Sequence, residues 1–293
     1  MTPDQEKLLA EAPYGTVEQM SPLVRRVLAR NPSPFTYLGT GTYIVGHGTV
    51  AIIDPGPADA EHLDAVAAAV AGETVSHHLI THTHMDHSPG ALPLKARLGG
   101  VIAGCAPLVL PDEGPRADAG FDPTYAPDHV LADGEQISGP GWTITAVHTP
   151  GHTSNHLCFA LEEEHVLFSG DHVMGWSTTV VAPPDGDMAA YMASLDKLMH
   201  RRDSRYFPTH GAPVEHPRRL VRHMIGHRRQ REAQILSALT AGPRSIPSMV
   251  AQMYAAIDPR LWPAAGRSVL AHLLDLEARG RVTRNGEDWQ AAA

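Results

Sequence analysis

Short apolar, β-branched runs recur along this chain, and each empties into a cluster of Gly, Pro, Asp or Ser, with longer Ala- and Leu-bearing stretches between them. That alternation predicts strands covered by helices, a mixed α/β class. Residues 42–45 and 49–53 flank Gly46-His47-Gly48, the chemistry of a tight hairpin, and Asp54-Pro55-Gly56 closes the second run. Residues 23–28, 75–80, 142–147, 156–161 and 166–168 read as further strands. Residues 60–71 and 187–200 read as helices, and another helix starts after Ser88-Pro89-Gly90.

Beyond Pro217 the pattern changes. A long helix runs to about residue 239, followed by a helix over 245–255, a third over 263–279, and Val282-Thr283 before the turn Asn285-Gly286. Three helices and a Gly-turned hairpin predict a small winged-helix-like unit. The chain therefore divides into a large α/β domain at 1–216, a connecting helix at 217–236 and the tail at 237–293. The helix that would enter a DNA groove carries Arg267, His272, Asp275, Glu277 and Arg279, a mixed set unsuited to a phosphate track. A lid or a homodimer contact is the expected role of the tail.

With 43% hydrophobic but only 5% aromatic residues, the core is expected to be built from Ala, Val, Leu and Ile. The net charge of -9 argues against indiscriminate binding to nucleic acid or anionic membrane. Nine of the 23 Lys and Arg nevertheless crowd between Arg201 and Arg231, opposed there only by Asp203 and Glu215. They read as the solvated side of a helix in preference to a phosphate-facing stripe. Cys105 and Cys158 lie in apolar surroundings and read as buried thiols. The polar start, Met1 to Lys7, and the lack of eighteen uninterrupted apolar residues lead to the expectation of a cytoplasmic protein with no membrane partner.

The chemistry concentrates in Thr81-His82-Thr83-His84-Met85-Asp86-His87, on the loop leaving the 75–80 strand. Three imidazoles and a carboxylate in so short a run exceed what one tetrahedral ion takes from it. Ligands shared between two neighbouring ions, two zincs, are expected. Later strands empty into Thr149-Pro150-Gly151-His152, Ser169-Gly170-Asp171 and Thr209-His210-Gly211. The reading groups His82, His84 and His152 about one ion and Asp86, His87 and His210 about the other, with Asp171 bridging. Water between two such ions ionises near neutrality, and Asp86 is the catalytic carboxylate that orients the bridging hydroxide. Asp54 either orients a ligating imidazole from behind or satisfies its own turn, and His156 divides between a similar supporting role and packing. Tyr191, on the helix after the Asp171 loop, is a candidate substrate contact, with packing the competing role. His47, His62, His77, His78, His223 and His227 are left as ordinary histidines.

Taken together, the His-x-His-x-Asp-His run at 82–87, Thr-Pro-Gly-His at 149–152, Ser-Gly-Asp171 and Thr-His210-Gly resemble the metallo-β-lactamase superfamily. The resemblance implies a four-layer αββα sandwich with a dinuclear site at one edge between two sheets, and the same seven ligands. Residues 21–43, the 175–180 loop and the tail are similar to the β-lactamase-like protein 2 group, whose members include an endoribonuclease acting on single-stranded RNA. Zinc-dependent phosphodiester hydrolysis, with RNA among the substrates, is the leading expectation from that resemblance. Glyoxalase-II-like and lactonase-like relatives use similar ligands on a carbonyl carbon, so hydrolysis of a small thioester, ester or lactone is the alternative. A third class is a non-hydrolytic iron redox protein or an RNA-binding module; iron or manganese would then stand where zinc is expected. True β-lactamases place Cys or Ser where Asp171 stands, which makes antibiotic hydrolysis a poor expectation.

Overall fold

The computed structural model describes residues 3–108, 110, 120–256 and 258–292. Its central strands are buried on both faces, which is why they read as continuous apolar runs and not as alternating ones. After helix α1 (Pro3–Glu11), a seven-stranded sheet follows the order of the chain. Its strands are β1 (Val17–Ser21), β2 (Val24–Leu28), β3 (Gly41–Val45), β4 (Thr49–Ile53), β5 (Thr74–Ile80), β6 (Val101–Gly104) and β7 (His129–Val130). The first four are antiparallel neighbours, and β4 to β7 pair in parallel. Parallel pairing requires crossovers, which α2 (Ala60–Ala69) and α3 (Ala91–Leu98) supply.

The second sheet has β8 (Gln136–Gly139), β9 (Trp142–His148), β10 (Leu157–Leu161), β11 (Val166–Gly170) and β12 (Arg205–Pro208), in the order β12-β11-β10-β9-β8. Helix α4 (Met188–Met199) carries the chain from β11 to its parallel neighbour β12, and α5 (Pro217–Leu239) leaves the sheet. Period-two alternation sorts the side chains into layers. Tyr43, Val45, Ala51 and Ile53 point between the sheets, where they meet Trp142, Phe159, Phe168 and Phe207. Ile44, Val50 and Ile52 point outward onto Val66 of α2 and Leu94 of α3. Cys158, Ala160 and Leu167 point outward on the other side, onto Leu195 and Leu198 of α4 and Val221 and Met224 of α5. The result is an αββα sandwich. The core is built mainly from Ala, Val, Leu and Ile, and Tyr43, Trp142, Phe159, Phe168 and Phe207 add large side chains that fill the gap between the sheets.

The tail adds β13 (Arg244–Ser245), α6 (Ile246–Met253), α7 (Trp262–Ala278), β14 (Val282–Asn285) and β15 (Asp288–Ala291), with strand order β13-β15-β14. Its own apolar core gathers Ile235 and Leu239 from the end of α5 with Met249, Val269, Leu273, Leu276 and Trp289. Ala271 of α7 joins the core under α4, so the tail packs onto the sandwich. Cys105 and Cys158 are both buried free thiols.

Candidate metal centre

Four strand ends open on one edge of the sandwich. β5 runs into His82, His84, Asp86 and His87, β9 leads to His152, β11 to Asp171, and β12 to His210. The glycines at these exits have steric reasons. Gly151 has φ +135, and a Cβ there would strike the backbone of Tyr191. Gly170 has φ +51, and a Cβ there would lie 2.6 Å from His156 Nε2.

The exits bring the seven side chains into two groups. Donor atoms of His82, His84, His152 and Asp171 lie within 4.8 Å of one another, as do those of Asp86, His87 and His210. In the first group, His84 Nδ1 lies 2.9 Å from His82 Nε2 and 3.2 Å from His152 Nε2. Asp171 divides its two oxygens between the groups. Oδ2 lies 3.8 Å from His152 Nε2, while Oδ1 lies 3.6 Å from His87 Nε2 and 3.4 Å from His210 Nε2. Asp86 Oδ2 completes the second group, 3.1 Å from His210 Nε2 and 3.4 Å from His87 Nε2.

Atoms behind the site decide which nitrogens face it. His152 Nδ1 donates to the Val180 carbonyl at 2.6 Å and His210 Nδ1 to the Gly39 carbonyl at 3.0 Å. A carbonyl only accepts, so each Nδ1 carries a hydrogen and Nε2 is the nitrogen left to face the site. His87 Nδ1 lies 2.9 Å from Asp54 Oδ2, with the same consequence. Asp54 itself is held in a left-handed backbone, φ 47, and its carboxylate also accepts from Thr81 N, Thr81 Oγ1 and Thr209 Oγ1. His156 Nε2 accepts the Asp171 backbone N–H at 3.2 Å, and its Nδ1 lies 2.9 Å from Thr149 Oγ1.

The electrostatics ask for a cation. Burial works against both carboxylates, yet His210 and His87 hold Asp171 well below the ordinary carboxylate range, and His87 and His210 do the same for Asp86. Against the same burial, Asp171 and then Asp86 push His210 up to about 10. His82 is held well below its ordinary value by burial and by His87, His84 and His152 around it. Carboxylates that attract positive charge thus adjoin an imidazole cluster that rejects protons, and a divalent ion satisfies both. His87 Nε2 and Asp171 Oδ1 are buried without a hydrogen bond, another mark of a donor set that fits metal.

Over this floor lies a cavity of about 310 Å³. Phe35, Met85, Met174, Trp176 and Val180 form its apolar walls, and its lining among the described residues contains no Lys or Arg. Phe35, Met85 and Trp176 are 40%, 45% and 36% exposed, large apolar surfaces left open at the mouth. Tyr37 stacks on Trp176 with ring centroids 5.0 Å apart. Tyr191 does not reach this space, which corrects its candidacy as a substrate contact: it is fully buried and its hydroxyl donates to the His172 carbonyl at 3.1 Å. The helix that carries it turns that face onto the second sheet. The cavity walls and the carbonyls of Gly39 and Val180 escape a sequence reading, since apolar loop residues and main-chain atoms carry no chemical motif.

Comparison with known proteins agrees with this fold. Residues 37–210 match the model of the metallo-beta-lactamase superfamily, and residues 245–289 match that of the beta-lactamase associated winged helix domain. The chain is 34% identical to a beta-lactamase-like protein 2 homolog of Drosophila melanogaster, covering 93% of this chain and 94% of that one. It is 36% identical to an atrochrysone carboxyl ACP thioesterase of Paecilomyces divaricatus, over 78% of this chain and 68% of the relative. A beta-lactamase domain protein from Burkholderia ambifaria shares the fold with a TM-score of 0.78 at 20% identity, covering 100% of this chain and 99% of that one.

Proposed function

Because the chain belongs to the metallo-beta-lactamase superfamily, we propose that this metal-dependent hydrolase cleaves thioesters or esters of small apolar acyl groups. The observation that carries the reading is the cavity, whose walls are apolar and whose described lining contains no Lys or Arg. An acyl chain or ring gains by leaving water against Phe35, Met85 and Trp176, whereas the phosphates flanking a scissile phosphodiester find no Lys or Arg along those walls. The thioesterase relative supports the same class.

His82, His84 and His152 would hold one ion, Asp86, His87 and His210 the other, with Asp171 shared between them. Two divalent ions, zinc in this reading, would supply an acidified water and positive charge at the developing oxyanion. Asp86 stands at the cavity floor, 3.3 Å from the Thr40 hydroxyl, and orients the attacking water by accepting a hydrogen bond from it. Asp54, the Val180 carbonyl and the Gly39 carbonyl keep three imidazoles in the tautomer that faces the site. The apolar rim excludes bulk water from the scissile bond.

Metal-quantified protein assayed in parallel on an aryl-acyl thioester, a lactone, bis(p-nitrophenyl) phosphate and labelled single-stranded RNA tests the reading. Acyl turnover that chelation abolishes and zinc restores is expected. RNA turnover without acyl turnover overturns it in favour of the second reading, phosphodiester hydrolysis. That alternative draws on Arg218, Arg219, Arg222 and Arg229, exposed on α5 and outside the cavity lining.

A further inference from the structure

Arg228 is the basic residue of α5 that the fold turns inward. It is 4% exposed, and among the described residues its partners are neutral: its guanidinium donates to the Thr179 carbonyl, lies 3.4 Å from Ser268 Oγ of α7, and sits 5.2 Å above the Tyr191 ring. A buried cation without a carboxylate is costly, and main-chain and hydroxyl acceptors offset that cost only while they stay in place. Arg267 of α7 donates to the Pro183 carbonyl, so two guanidinium groups grip the 179–183 segment at both ends.

This segment touches the metal centre twice. The Thr179 hydroxyl lies 2.8 Å from the Asp171 carbonyl and 3.0 Å from the His172 carbonyl. The next residue, Val180, supplies the carbonyl that takes the His152 Nδ1 hydrogen and also forms a cavity wall. Each group of ligands is therefore reached: His152 belongs to one, and Asp171 faces both.

We propose that Arg228 is a positioning residue of the metal centre: anchored by α7, it fixes the Thr179–Val180 backbone that sets the His152 tautomer and the Asp171 main chain. The winged unit is then part of the scaffold of the site. The proposal rests on the metal-site reading above, and its test separates the two.

Arg228→Gln, Arg228→Lys and Thr179→Val are to be compared with the parent in two measurements. The first is ¹⁵N-histidine NMR of the metal-free protein, which reports the His152 tautomer. The second is zinc affinity by competition with a chromogenic chelator. In Arg228→Gln, His152 is expected to lose its single Nδ1–H tautomer and zinc affinity to fall about 10-fold or more, the scale seen when an orienting partner is lost. Arg228→Lys restores part of both, since one ammonium reaches the Thr179 carbonyl but cannot also span to Ser268. Thr179→Val keeps the tautomer and weakens zinc through Asp171. An Arg228→Gln protein that melts within a few degrees of the parent, with unchanged tautomer and zinc affinity, overturns the proposal. If that variant does not fold, the other two carry the same readouts. A parent protein that takes up no zinc refutes the metal reading, and the tautomer comparison still decides the role of Arg228.

Discussion

The strand-exit edge and the C-terminal unit are built on opposite terms. At the edge, His82, His84, His87, Asp54, Thr81, Thr209 and His210 are buried polar groups packed on one another. In the tail, the buried cluster of Ile235, Leu239, Met249, Leu273, Leu276 and Trp289 is hydrophobic, with His272 a buried polar exception, and charges such as Arg279 pair at the surface with Glu232 and Asp275. Buried polar groups are tolerated only while every partner is present, so loss of one strands the rest. An apolar core instead loses stability in proportion to the volume removed. Changes at the edge should therefore act on chemistry as a set, and changes in the tail on stability by degree.

The largest test of that contrast is Asp171→Ala, which removes the carboxylate facing both groups of donors. Hydrolysis is expected to fall by orders of magnitude and metal content to drop at one or both positions, with the circular dichroism spectrum preserved. Full activity with full metal content would remove the shared carboxylate from the account. In the tail, Leu273→Ala should cost about 2–5 kcal/mol in denaturant unfolding while metal per folded molecule is unchanged. Metal lost from Leu273→Ala protein that is still folded would erase the contrast. Asp54→Asn keeps the shape but not the charge behind His87, and competition titration should show metal affinity reduced by about 10–100-fold.

The smallest effect concerns acid. Burial, reinforced by Arg228, His227, Arg279 and Arg231, lowers His272 of α7 to about 3 from an ordinary 6.5. The unfolded chain takes up that proton first, so stability is complete above pH 6.5 and declines as pH falls from there toward 3. At pH 5.5 the expected loss is on the order of 1 kcal/mol. His272→Leu should flatten this decline in denaturant midpoints measured at pH 7.5 and 5.5; an unchanged slope would assign the acid sensitivity elsewhere.

The donor side chains were legible because each combines a chemical type with a punctuation mark: His152, Asp171 and His210 all follow a strand and sit beside Gly or Thr. The sandwich was legible in its central runs for a related reason, since β3, β10 and β11 are apolar throughout. The weakly patterned pieces escaped. β1 alternates exposed and half-buried positions with no apolar face, and β7 is two exposed residues. Arg228 looked like one of nine basic residues because helical phase, not residue type, turns it inward between exposed Arg222 and Arg229. Phe35 belongs to a Pro-rich loop that chain topology folds over a motif some fifty residues later, a juxtaposition no local pattern encodes.

Gly170 sets a boundary for anyone who would retune this enzyme. Side-chain atoms at that position have nowhere to go but into the imidazole that secures the Asp171 amide, so its permitted alphabet has one letter. Phe35, Met85 and Trp176 are half open to solvent and stand outside the donor set, which leaves them free to vary. A library that diversifies those three and freezes the strand termini would search substrate preference without dismantling the catalyst.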